Sequence, residues 1–78
     1  MEIRERLSTN LQRLRREKGW SQEDLAFESG LHRTYISGIE RCVRNPTITV
    51  VDRLAVTFGV NCGTLLDQPA KNSSRKKK

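Results

Sequence analysis

The chain has 78 residues, 35% of them hydrophobic and 31% charged, with a formal net charge of +6. That allows one small domain with a marginal core, and no apolar stretch is long enough to span a bilayer. There is no acid pair, nucleophile–base set or phosphate-cradling glycine loop at a workable spacing, so an enzyme is not expected.

The opening MEIRERLSTN is charged and lacks the apolar run of a signal peptide, which points to a cytoplasmic location. Five of the net positive charges sit in residues 71–78, on Lys71, Arg75, Lys76, Lys77 and Lys78, leaving about +1 for the rest. The expected division is a helical domain over 1–68 and a disordered basic tail over 69–78. Such a tail suits phosphate attraction, and equally a solubilising end. Cys42, Cys62 and His32 are too few and wrongly spaced for a structural zinc site, so no metal or cofactor is expected and the cysteines read as two thiols.

In chain order, Ile3, Leu7, Leu11 and Leu14 form the stripe of an amphipathic helix over about 2–18, stopped by Gly19. Trp20 reads as a core staple between the first two helices. Ser21-Gln-Glu-Asp24 is a capping-box start for a second helix, to about residue 28, with Leu25 and Ala26 inward and Phe27 at the core rim or on a partner surface. Gly30 then supplies the positive φ of a sharp turn. A third helix covers about 32–41, with Ile36 and Ile39 inward. Gly38 in its interior signals either a close approach or a tolerated flaw. Pro46 stops that helix and Thr47 caps a fourth over 48–58, with Val51, Leu54, Ala55 and Phe58 inward. A short fifth helix spans about 61–66.

The segment from Gln22 to Arg41 carries the functional signal. Ala26 lies four residues before Gly30 and Ile36 six after it. Two helices crossing steeply need a small residue at the contact, a permissive turn and an apolar residue pointing into the angle. The outer side of the third helix is then free to carry His32, Arg33, Thr34, Ser37 and Arg41, with Tyr35 at its edge. All are hydrogen-bonding types and none is acidic. Such a helix fits a DNA major groove about 12 Å wide, where Arg can bond guanine bidentately and Thr can meet thymine. Glu40 falls on the other face and would repel phosphate if exposed, so it is expected to pair with an arginine of the first helix, Arg15 by preference.

The run SQEDLAFESGLHRTYISGIERCVRNPTI resembles the Cro/cI-type (XRE) helix-turn-helix family, and QEDLA…RTYISGIER is especially similar to restriction–modification controller proteins. The resemblance covers about residues 7–66. It implies an all-α, five-helix lambda-repressor-like domain with the helix-turn-helix in helices 2 and 3. It further implies Gln22 on a phosphate, base reading by Arg33, Thr34 and Ser37, the Arg15–Glu40 pair, and a backbone grip by Arg41, Arg44 and Asn45. His32 stands where the family carries a small polar cap; it and Tyr35 are assigned to the DNA backbone, although the Tyr35 ring could instead pack on the body.

One recognition helix reads only a few base pairs, each worth about 1–3 kcal/mol, so a homodimer on a palindrome is expected. Val60, Leu65 and Leu66, with the exposed side of helix 4, are the seam candidates; core packing is the alternative for the two leucines. The partners expected are double-stranded DNA and a second copy of the chain, with no membrane and no small-molecule ligand. The competing reading is an antitoxin-type protein-interaction module with secondary DNA binding. An architectural binder using the tail fits poorly with a nearly neutral body.

Overall fold

The computed structural model describes residues 1–69, so the expected tail lies outside the described residues apart from Pro69. Five helices follow in order: α1 Ile3–Glu17, α2 Gln22–Ser29, α3 Arg33–Glu40, α4 Ile48–Phe58 and α5 Cys62–Leu66. Among the described residues there is no strand, and no helix is long and apolar enough to cross a membrane. The fold is the all-α, five-helix arrangement expected from the sequence.

The helix starts are encoded locally. Ser21 Oγ accepts from the Asp24 N–H at 3.0 Å and Asp24 Oδ2 accepts from the Ser21 N–H at 2.9 Å, a reciprocal box that satisfies two orphan donors. Thr47 and Asn61 cap α4 and α5 by accepting from Val50 and Thr64 N–H groups. Gly30 sits at φ +77°, and the Ala26 carbonyl accepts from both Gly30 and Leu31, closing α2 and turning the chain at once into α3.

One core joins all five helices. Leu7 and Leu11 from α1 meet Leu25 and Ala26 from α2, Ile36 and Ile39 from α3, Val51, Leu54, Ala55 and Phe58 from α4, and Leu65 from α5. Two expectations change. Ile3 is 43% exposed, at the edge of an apolar groove it shares with Pro46, Ile48 and Leu66, rather than in the core. Trp20 is half-buried against the core, and its ring stacks on Phe58 at 5.7 Å, so it reaches α4 in addition to the junction of α1 and α2.

Polar ties supplement this core. Asn10 is buried, and its amide donates to the carbonyls of Leu65 at 2.8 Å and Asp67 at 2.9 Å, holding the end of α5 against α1. Ser8 donates to the Glu40 carbonyl at 2.6 Å, tying α1 to the end of α3. The largest tie is Arg15–Glu40. Nε reaches Oε2 at 2.8 Å and Nη2 reaches Oε1 at 3.0 Å, while Nη1 donates to the Trp20 carbonyl at 3.0 Å. Gln22 Nε2 adds a bond to Glu40 Oε1 at 2.9 Å. The Glu40 side chain is only 5% exposed and that of Arg15 13%. The hydrogen bonds to Glu40 push the Arg15 guanidinium above its already high ordinary value.

After α3 the chain turns on Cys42, which has φ +63°, a left-handed conformation that costs an L-residue about 1–2 kcal/mol. Cys42 and Cys62 are both free thiols of intermediate burial, as space-fillers would be. Cys42 Sγ lies 3.7 Å from the Arg4 carbonyl. Cys62 Sγ lies 3.4 Å from Asp52 Oδ1; partial burial and that carboxylate push its thiol up.

Breaking the buried pair from one side leaves a charge without its partner. Arg15→Ala or Glu40→Ala should each lower unfolding free energy by about 3 kcal/mol in urea titrations, and Arg15→Met with Glu40→Met should recover part of that loss. Cys42→Gly should raise the thermal midpoint by a few degrees in calorimetry, since glycine removes the left-handed penalty, whereas Cys42→Val should lower it.

Candidate nucleic-acid interface

The outer side of α3 presents what the sequence pattern requires. Arg33 and Thr34 in its first turn are exposed, and Ser37, one turn on, is half-buried. Arg41, Arg44 and Asn45 are exposed on the segment that follows. The inner side buries Ile36 and Ile39. With Glu40 bound by Arg15 and Gln22, α3 and its C-cap offer Arg33, Arg41 and neutral donors to solvent and no free carboxylate.

The remaining assigned residues are distributed less simply. His32 is the N-cap of α3 and exposed, but its side chain makes no capping bond to the first turn. Gln22 is half-buried and commits one amide hydrogen to Glu40. Its amide has a second hydrogen and an oxygen, so the ion pair fixes the side chain without exhausting it. The Tyr35 ring packs against the core, with the Arg44 guanidinium 5.8 Å from its centroid. A concavity lined by Gly30, Leu31, His32, Thr34, Tyr35 and Arg44 opens beside the first turn of α3.

Of the seam candidates, Leu65 is fully buried in the core and has no surface to offer a partner; α5 needs it to dock on α1 and α4. Val60 and Leu66 are half-buried. Among the described residues, no group of three or more His, Cys, Asp or Glu side chains is arranged to hold a metal ion.

Sequence reasoning did not single out Ser8, Asn10 or Gln12. Gln12 Nε2 donates to Ser8 Oγ at 3.0 Å, and Ser8 holds the last carbonyl of α3. The available signal was their position beside the Leu7–Leu11 stripe, where a solvated residue was not required.

Comparison with known proteins agrees with this geometry. Residues 11–65 match the family model described as helix-turn-helix. The chain is 45% identical over 58 residues to the control protein C.BamHI of Bacillus amyloliquefaciens, covering 74% of this chain and 72% of that one. It superposes on the crystal structure of a hypothetical transcription factor from Neisseria with TM-score 0.85 and 40% identity, covering 87% and 78% of the two chains. It is also similar to the restriction–modification controller C.Esp1396I, crystallised as a tetramer with its natural 35 base-pair operator (TM-score 0.75, 40% identity, 83% and 86% covered). A family match over most of the folded chain, on helices that present an α3 whose single acid is paired from behind, means that this protein belongs to the helix-turn-helix (HTH_3, XRE-type) family.

Proposed function

We propose that this chain is a sequence-specific DNA-binding transcriptional regulator, not an enzyme, that acts as a homodimer on a palindromic operator. The observation that carries the reading is the outer side of α3, with Arg33 and Thr34 exposed and the helix's one acid neutralised from behind. In this reading α3 lies in the major groove with its first turn toward the bases, where Arg33, Thr34 and Ser37 read base edges. Gln22, His32, Tyr35, Arg41, Arg44 and Asn45 meet the sugar–phosphate backbone, which sets register and orientation. Similarity to C.BamHI and C.Esp1396I supports a controller of a restriction–modification system as the biological setting.

Two copies would place two α3 helices about one turn of DNA apart on symmetric half-sites. The surface proposed for pairing is the outer side of α4 with Val60 and Leu66. Ile48 is 85% exposed and Val56 70%, and Ile48 borders an apolar groove with Ile3, Pro46 and Leu66. The groove that Ile48 borders is an apolar surface that a second copy would cover.

Selection of duplexes from a randomised pool, followed by titration, tests the proposal. The wild-type chain should enrich a two-fold symmetric site. Arg33→Ala should bind that site about 10- to 100-fold more weakly while keeping its weak affinity for random duplex; equal wild-type affinity for every duplex would sink the reading. Ile48→Asp should sediment as a monomer and lose cooperative operator binding while folding normally, because an acid in the first turn of α4 suits the helix dipole.

A further inference from the structure

Arg44 is held in place by features that lie outside its own chain segment. Its stem crosses Gly38, so that a Cβ added at Gly38 would fall on Arg44 Cγ, with Nε 3.3 Å and Cδ 3.4 Å from it. Its guanidinium lies over the Tyr35 ring, 5.8 Å from the centroid. Its backbone is pinned as well. The Gly38 carbonyl accepts from Val43 N–H at 2.9 Å and from Arg44 N–H at 3.2 Å. Gly38 is buried within an eight-residue helix, where glycine is the least favourable residue short of proline.

We propose that Gly38 and Tyr35 are positioning residues that set Arg44 as a fixed cation at the DNA edge of α3. This rests on the reading that this edge meets DNA. The clash at Gly38 falls on the second carbon of the Arg44 side chain, not on its flexible end. With the Arg44 backbone pinned, relief requires rotation about χ1, and that rotation swings the guanidinium off Tyr35. A long side chain held in advance loses less rotamer freedom on binding, so the arrangement favours affinity without adding a contact. Gly38 thereby serves the interface while weakening its own helix.

The test uses the full chain as wild type, Gly38→Ala, Arg44→Ala and the double variant, with the duplex that wild type selects from a randomised pool. Gly38→Ala should melt at or above the wild-type midpoint, since alanine is the better helix former. It should nonetheless bind about tenfold more weakly and show a salt slope lower by about one, as Arg44→Ala does. The double variant should bind no more weakly than Arg44→Ala alone. Tyr35 is itself assigned to the DNA backbone, so Tyr35→Leu is compared with Tyr35→Phe, which keeps the ring under Arg44. The extra loss of Leu over Phe should vanish in the Arg44→Ala background, and this comparison decides the matter if Gly38→Ala melts low. Wild-type affinity in Gly38→Ala, or losses that multiply in the double variants, would overturn the positioning role while leaving the DNA reading intact. Wild-type affinity in Arg44→Ala would instead remove the DNA role of this loop, and the proposal with it.

Discussion

The arrangement of this small domain depends on the carboxylate of Glu40. Both of its oxygens are engaged by Arg15, and one also accepts from Gln22. Residues from α1, the start of α2 and the end of α3 therefore converge on one buried charge. A bidentate guanidinium fixes orientation as well as distance, which the exposed pairs Arg4–Glu2 and Arg13–Glu17 do not. The same pair takes the only acid of α3 out of solvent. One interaction thus helps to orient α3 and decides the sign of the charge it displays.

The element proposed to read DNA is not self-sufficient. α3 has eight residues, an interior glycine, an N-cap without a side-chain bond and a C-terminal turn through a left-handed cysteine. An isolated helix of that length would not persist in water. Its order is imported from Ile36 and Ile39 in the core, from Arg15 on the Glu40 side chain and from Ser8 on the Glu40 carbonyl. α5 is a parallel case, with five residues held by Leu65 and by the Asn10 amide. A recognition surface built this way is rigid only as part of the whole domain, so little ordering remains to be done on binding.

These supports also explain how so few core residues suffice. The buried apolar set is short, but helix ends that would otherwise leave open carbonyls are closed by side chains from α1. Buried polar groups stabilise only when their partners are in place, and here the partners come from elements far apart in sequence. The N-terminal helix thus acts as a spine that clasps both the third helix and the last.

Much of this was legible in the amino-acid order because it is local or periodic. The helices follow from apolar spacing, from the Ser21–Asp24 box, from Thr47 and from the glycine turn at residue 30. The outward set on α3 follows from Ile36 and Ile39 facing in, and Arg15–Glu40 from the need to neutralise one acid. The family motif supports the same assignments. Side-chain environment was decided only by tertiary packing. Ile3 belongs to the α1 stripe yet is left partly exposed at the rim of a groove, Leu65 is core rather than seam, and Trp20 stacks on Phe58. Gly38 left two readings open that only the course of Arg44 could separate. Periodicity states which face of a helix is apolar; what stands opposite that face depends on chain segments tens of residues away, and only the assembled fold brings them together.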